Sequence, residues 1–356
     1  MASLVKTLVI KTITLVLVLF GVLLLLALLM GATGLSDRLL LSILNDQVRA
    51  YQQSLIQQRL PPEQIKIAVA EYNKTLAEQL GVDKPWYFRI PQLILSLLFL
   101  DLGESRTLQS SWGSKKVADL IIDRLPNTII LTTTGIMFTA LVGIWIGLYI
   151  GSNVGSRLDR VVSILSAVSY ALPLWFMGLV LIFALAYGPK ILWGIQLFPG
   201  SGMVSTPPPK EPLAYFLDLL WHLALPLIAS FIVFFGSWAY TTRNIVFNVG
   251  QEDFVSFARA KGLPEALVRR RYILRPSLPP ILTALILSLA TSISGYIITE
   301  RVFNWPGMGS LYYAAITALD EPVIFALTYV FTLVYILARF VLEILYIVVD
   351  PRIRLT

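Results

Sequence analysis

No cysteine occurs among the 356 residues, and histidine occurs once, at His222. The first absence excludes disulfide scaffolds, thiolate nucleophiles, and zinc or iron–sulfur sites built on thiolates. The second leaves a Ser–His–acid triad or a His-ligated metal resting on a single ring, which argues against both. Charge is scarce as well: 14% of residues are Asp, Glu, Lys or Arg, against about 25% in an average soluble domain. No Gly-rich phosphate loop ending in Lys and Ser or Thr is present, so the chain carries no nucleotide motif of its own. What is abundant is apolar: 56% of residues are hydrophobic, concentrated in long uncharged runs. That surplus excludes disorder and an ordinary soluble enzyme.

A helix that crosses about 30 Å of hydrocarbon needs roughly 20 apolar residues. Six runs qualify. They lie between Lys11 and Asp37, Arg124 and Arg157, Arg160 and Lys190, Asp218 and Arg243, Arg275 and Glu300, and from Glu321 to about Val349. The run Leu93–Leu100 is too short and reads as a re-entrant or interfacial turn. The first apolar core, Ile13–Met30, is longer than a signal-peptide h-region of about 7–15 residues, so it reads as a retained helix.

Lys and Arg in short loops set orientation. With the N-terminus inside, the inner segments hold Lys6, Lys11, Arg157, Arg160, Arg243, Arg259, Lys261, Arg269, Arg270, Arg271, Arg275, Arg352 and Arg354. The short outer loops hold only Lys190, Lys210 and Arg301. Both termini are therefore expected in the cytoplasm of a plasma- or inner-membrane protein. The basic balance reads as topology and contact with anionic lipid. No aromatic-interleaved basic patch points to nucleic acid.

The outer segment after the first span is too long for a simple loop. Ile65, Val69, Tyr72, Leu76 and Leu80 recur at helical spacing, with Pro62 suited to the first turn and Gly81 to the end, predicting a helix over 62–80. Val48, Tyr51 and Leu55 suggest another before it. Ser114 and Val117–Ile121 read as a short amphipathic helix leading into the second span. The Pro- and Gly-rich stretch Gly188–Asp218 is expected to be irregular. On the inner side, Asp253 is suited to cap a short helix ending at Lys261, Gly262 to supply a left-handed residue, and Pro264 to start a second short helix. Ala258 and Ala260 keep the first of these slim enough for a groove. Two short helices at an angle, exposed between spans, read as a docking element.

Here the chain resembles a known family. Ala258-Arg259-Ala260-Lys261-Gly262 resembles the EAA loop of binding-protein-dependent ABC importer permeases. The nearest subgroup is the first permease subunit of the dipeptide, oligopeptide and nickel importers. Gly81–Trp86 resembles its LGLDQPW segment, Asp101–Ser105 its DFGRSL, Arg124–Thr128 its RLPATL, Val302–Gly309 its VFSWPGLG, and Asp350–Arg354 its terminal DPRIR. The matches cover the chain after Gln64. The consensus glutamate and first alanine of the EAA loop fall on Ser256 and Phe257, which removes one ionic contact available to other permeases. The segment 31–63 lacks the subgroup's APGDP-like stretch.

The resemblance implies an all-α polytopic membrane protein with six transmembrane helices in the type I (MetI-like) ABC importer permease fold. Residues 1–36 would form the first span, 37–124 a helical extracytoplasmic insertion, 125–350 the permease domain with its coupling loop at 248–276, and 351–356 a cytoplasmic tail. It implies a non-catalytic subunit with four kinds of partner: a second permease, two ATPase subunits, an extracytoplasmic substrate-binding protein, and membrane lipid. ATP and Mg would be bound by the ATPases and no cofactor by this chain. Coupling would fall to Asp253, Phe254, Phe257, Ala258, Arg259, Ala260, Lys261 and Gly262. Arg259 and Lys261 would face acidic groups of an ATPase; read without the family, they are a solvated, lipid-facing loop.

From the residues themselves, Ser163, Ser166, Tyr170 and Pro173 share one helical face, and Ser288, Thr291, Ser292 and Gly295 another. Small and polar residues at that spacing serve close helix packing; as a stripe they are the candidate pathway wall. Arg339 and Glu343, at i and i+4, read as a structural ion pair, and His222 beside Trp221 as an interfacial belt residue. A secondary transporter or channel is the competing class, and peptides, oligosaccharides and nickel chelates all remain open as cargo.

Overall fold

The computed structural model describes residues 2–82, 84–88 and 90–349; Asp83, the 350–354 motif and the 351–356 tail lie outside the described residues. Among the described residues six helices are long and apolar enough to cross a membrane: Ile10–Ala32, Val117–Gly151, Leu174–Trp193, Pro212–Gly250, Glu265–Ser292 and Glu321–Ile344. Strands are absent among the described residues apart from a single bridge, Glu104 to Lys116. Contacts divide the chain into two compact units, 1–120 with 314–333 and 121–313 with 334–356.

In the first unit, α1 (Ala2–Ala32) is followed by a helical hairpin, α2 (Leu35–Gln57) and α3 (Pro62–Leu80). The bounds of α3 are those expected, and Gly81 ends it at φ +66°. Tyr51 and Tyr72 stack across the hairpin at 4.3 Å. The Leu93–Leu100 run forms α4 (Ile90–Leu98), with Ile94 and Leu97 buried and Leu95 and Leu98 exposed, a short amphipathic helix. Trp86 lies flat against Gly31 of α1, where any Cβ would enter the indole.

The loop that follows α4 closes on Asp320, which is fully buried. Asp320 accepts hydrogen bonds from Ser105 Oγ at 2.7 Å, Thr107 N and Oγ1 both at 2.8 Å, and Arg106 N at 3.2 Å. Arg106 also pairs with Glu321 at 3.1 Å, where α16 (Glu321–Val349) begins.

The short amphipathic helix expected to lead into the second span is there and continuous with it, while three other expectations in the second unit need correction. Helix α5 (Val117–Thr128) runs through a π-turn, Ile129–Thr133, into α6 (Thr134–Gly151). Pro126 deletes a backbone donor just ahead of that wider turn.

The third run is broken. It forms α7 (Arg157–Tyr170) and α8 (Leu174–Leu181), separated at Pro173, and only the part from Leu174 through α9 (Gly188–Trp193) is a span-length helix. Proline lacks the N–H and biases the residue before it away from the helix. The stretch Gly188–Asp218 is thus irregular only from Gly194 to Glu211, because α10 (Pro212–Gly250) starts early.

The fifth run stops at Ser292, not Glu300. Helix α13 (Arg275–Ser292) ends there, Gly295 turns at φ +70°, and α14 (Ile297–Val302) follows. Finally, His222 is no belt residue: it is 6% exposed, with Nδ1 2.9 Å from the Asp218 carbonyl.

Helices α6 and α10 approach closely along Gly143, Gly147 and Gly151, one residue per turn facing Trp238, Thr242 and Val246. Lipid tails give no hydrophobic drive between helices, so backbone approach and dispersion hold this pair. Near Gly151, one end of this pair, Arg243 grips the buried Asp159 of α7 through two 3.0 Å bonds.

A candidate coupling surface and transport cavity

The loop after α10 forms one short helix, α11 (Asp253–Ala260). Asp253 is its first residue and makes no cap; Glu252 holds the cap position without a side-chain bond. Gly262 takes φ +73°, as expected, with its N–H on the Arg259 carbonyl at 2.9 Å. The second short helix is not independent. From α12 (Glu265–Leu267) the chain continues through a π segment, Val268–Leu274, into α13. Gly262 therefore joins α11 directly to a spanning helix.

Two faces of α11 differ. Val255 and Ala258 are buried against Val246, Val268 and Ile273, so the small size of Ala258 serves the loop's own packing. Phe254 (45% exposed) and Phe257 (62% exposed) face outward, and Ala260 is exposed beside them. Such aromatic exposure, anchored on a packed base, suits a docking contact. Arg259 forks onto both carboxylate oxygens of Glu265, at 2.9 and 3.2 Å, tying α11 to α12 across the corner. The Lys261 ammonium sits 4.5 Å over the Phe257 ring.

Two open cavities of about 620 and 790 Å³ lie along α7, α8 and α10 and share Tyr170 and Ser237. Ser163, Tyr170, Ser237, Tyr240 and Thr241 give the first its hydroxyls. The second is walled by the break at Leu172–Trp175, by Phe234, and by the turn Gly295–Thr299. Neither is lined by an Asp, Glu, Lys or Arg among the described residues.

Of the six polar pathway candidates, Ser163, Ser166 and Tyr170 border the first cavity, although the Ser166 hydroxyl is tied to its own Val162 carbonyl at 2.7 Å. Ser292 instead joins helices: its carbonyl accepts from Thr132 Oγ1 and its hydroxyl meets Thr133 Oγ1, both at 2.8 Å. Ser288 and Thr291 border neither cavity. Pro173 and Gly295 line the second cavity as breaks in helices, not as members of a helical face.

The pattern of the family described as the inner membrane component of binding-protein-dependent transport systems matches residues 143–355, which span α6 to the C-terminal end. This chain belongs to that family. It is 33% identical over 287 residues to the di/tripeptide transport system permease protein of Pseudomonas aeruginosa, covering 78% of this chain and 83% of that protein. To the probable D,D-dipeptide transport system permease protein of Escherichia coli it is 31% identical, covering 79% and 84%. The oligopeptide transport system permease protein of Bacillus subtilis is 28% identical, with 81% and 87% covered. The protein is a multi-pass permease subunit of an ABC importer with the all-α, MetI-like fold.

Two permease motifs, Arg124–Thr128 and Val302–Gly309, turn out to clamp one another. Trp305 Nε1 donates to the Asn127 carbonyl and Asn127 Nδ2 to the Pro306 carbonyl, each at 2.8 Å. At the centre lies Glu300, with no exposed surface. Its carboxyl accepts from Ser310 N at 2.8 Å and Thr128 Oγ1 at 3.1 Å. Gly295, Gly307 and Gly309 press on it: a Cβ at Gly307 would sit 2.6 Å from the Glu300 Cδ. Sequence reading took Glu300 as the border of a span. The signal that marks it is an acid with three glycines within nine residues, in a stretch otherwise nearly free of charge.

Proposed function

We propose that this permease forms half of the translocation pathway of an ABC importer for peptides. It pairs with a second, related permease, two ATPase subunits and an extracytoplasmic binding protein, and both its termini lie in the cytoplasm. The observation that carries this reading is the pair of adjoining cavities lined by hydroxyls and aromatic rings but, among the described residues, by no fixed charge. Such a wall offers donors and acceptors to peptide groups and apolar area to side chains, without trapping either charged terminus. The names of the peptide-transporting relatives support the same cargo.

ATP binds and is hydrolysed in the partner subunits. Their closure moves Phe254 and Phe257, α11 follows as a rigid piece, and Gly262 delivers the movement to α13. Ser163, Ser166 and Tyr170 belong to the pathway wall in this reading, joined by Ser237, Tyr240 and Tyr296; Ser288, Thr291 and Ser292 belong to helix packing. Reconstitution of the complete importer in vesicles, with labelled di- and oligopeptides, tests it. Peptide uptake that requires ATP and the binding protein is expected. Uptake of an oligosaccharide or a nickel chelate in place of peptide would overturn the cargo, and uptake by this chain alone would overturn the division of labour.

A further inference from the structure

The turn Gly295–Thr299 walls the second cavity, and its other side rests on Glu300. Glu300 N bonds the Tyr296 carbonyl at 2.8 Å, and Trp305 N bonds the Glu300 carbonyl at 2.7 Å. The side chain reaches the first turn of α15 (Met308–Thr317), where Ser310 N–H points at it. A helix N-terminus and a hydroxyl favour the carboxylate; complete burial opposes it. Burial is the larger effect and pushes the pKa up to about 7, with Ser310, Thr128 and Gly309 pulling it down.

Other titratable groups on the surrounding elements do not neutralise it. Asp123 and Arg124 of α5 pair with each other at 3.3 Å. Arg301 of α14 lies 4.8 Å over the Tyr313 ring of α15. Tyr296 is pushed by burial to about 12 and stays neutral.

The two protonation states cannot fit this cradle equally. Ser310 N–H and Gly309 N–H are donors only, and the Thr128 oxygen already accepts Met308 N–H at 2.6 Å. A carboxylic O–H can be accepted only through the second lone pair of Thr128 Oγ1, so protonation reverses the Thr128–Glu300 bond and turns the Thr128 hydrogen away from the carboxyl.

We propose that Glu300 is a positioning residue of the transport pathway: as a carboxylate it holds Gly295–Thr299 in the geometry that passes solute, and on protonation it lets that wall go. This rests on the reading of the cavities as the pathway. Solute uptake then rises with pH as Glu300 ionises.

The test uses the complete importer in vesicles, a labelled peptide delivered by its binding protein at saturation, and a series from about pH 5.5 to 8.5 that brackets the ionisation. Wild-type uptake is expected to climb with a midpoint near 7. Glu300→Gln keeps the shape and cannot ionise: with its oxygen on Ser310 N–H, its NH2 donates to the Thr128 hydroxyl, the arrangement of the protonated acid. Its maximal rate at high pH is expected to fall roughly tenfold, with a flat pH profile and unchanged half-saturation by the loaded binding protein. Thr128→Val removes one donor to the carboxylate and shifts the midpoint up by roughly one pH unit, while Thr128→Ser keeps it in place.

A Glu300→Gln profile that still climbs as in the wild type overturns the proposal. If that variant fails to assemble, an unshifted midpoint in Thr128→Val overturns it equally. Absence of peptide uptake in the wild type would refute the cargo instead. The same pH series on ATPase activity stimulated by the binding protein then decides the role of Glu300.

Discussion

A methyl group added at Gly147 should loosen the permease, while the same methyl added at Gly21 should not. On α6, a Cβ at Gly147 would lie 2.5 Å from Thr242 Cβ and 2.6 Å from the Ala239 carbonyl oxygen of α10. Ordinary contact begins near 3.4 Å, so both are short by about 0.8 Å. Neither atom can rotate away, because one is backbone and the other the first side-chain carbon. The helices must part, and the neighbouring approaches at Gly143 and Gly151 loosen with them. Overpacking of this kind costs about 1–3 kcal/mol. Helix propensity works in the other direction, by about 1 kcal/mol for Gly→Ala.

Gly21, on α1, has nothing within 4 Å of its added Cβ. Gly21→Ala therefore gains propensity without a clash, and the difference between the two variants isolates the packing term. At roughly 2–4 °C per kcal/mol for chains of 150–250 residues, Gly147→Ala should melt at least about 2 °C below Gly21→Ala. The assay is thermal unfolding of the purified complex in detergent, followed by the loss of its monodisperse peak. If Gly147→Ala melts with Gly21→Ala or above it, the α6–α10 approach is not what holds this pair.

Three shorter predictions accompany it. At Gly262 the φ of +73° with nothing near the site means that Gly262→Val meets no neighbour, only backbone strain of roughly 1–2 kcal/mol; the complex should still assemble but lose uptake relative to stimulated ATPase at matched expression, and normal values of both would sink the coupling role. A cysteine replacing Ala70 on α3 should react with an impermeant thiol reagent from outside only; labelling from the cytoplasmic side alone would reverse the topology. At Asp320, burial raises the pKa, yet the bonds from Ser105, Thr107 and Arg106 outweigh it and hold the group below its ordinary 3.8. The stability this carboxylate contributes is therefore present above 3.8 and lost as pH falls through its lower folded value. Asp320→Asn, which faces an NH2 toward N–H donors, should cost about 1–3 kcal/mol at neutral pH and speed proteolysis of the 100–116 loop; an unchanged cleavage rate would refute this.

How far the sequence carries depends on the kind of signal. Uncharged runs gave the number of spans, and Pro62 with Gly81 bounded α3 to the residue, because hydropathy and caps are local. The bends inside runs were missed. Pro173 and Gly295 sit within apolar stretches long enough to read as straight spans, and apolar content is insensitive to a break. The glycines at 143, 147 and 151 stand four apart in plain sight, but which helix they meet is tertiary information. Glu300 and Asp320 were hidden for another reason. An acid at the end of an apolar run reads as the edge of the membrane, and only the folded loops that bring Thr128, Ser310 or Ser105 to it reveal a buried carboxyl. Arg259 was legible as a cation on an exposed corner, whereas its fork onto Glu265 needed the turn at Gly262.

The proposed coupling route places its demands on a few joints. Glu265–Ser292 is one continuous helical stretch of 28 residues, or about 42 Å at 1.5 Å per residue. A tilt of roughly 5° at its inner end would move the outer end by about 4 Å if the stretch were rigid. It is not uniformly so: the π segment Val268–Leu274 and the interior prolines Pro279 and Pro280 weaken its inner half. The outer end, by contrast, is pinned, since the Ser292 carbonyl is held by Thr132 and its hydroxyl by Thr133. Movement that enters at Gly262 therefore bends the inner half first. It reaches the cavity only by carrying Thr132 and Thr133 along or by working the turn at Gly295 against Glu300. The joint between α13 and the second cavity is thus where a rigid push becomes a change of wall, and it is the same place where Glu300 is buried with, among the described residues, a hydroxyl and backbone N–H groups rather than a cation on its carboxyl.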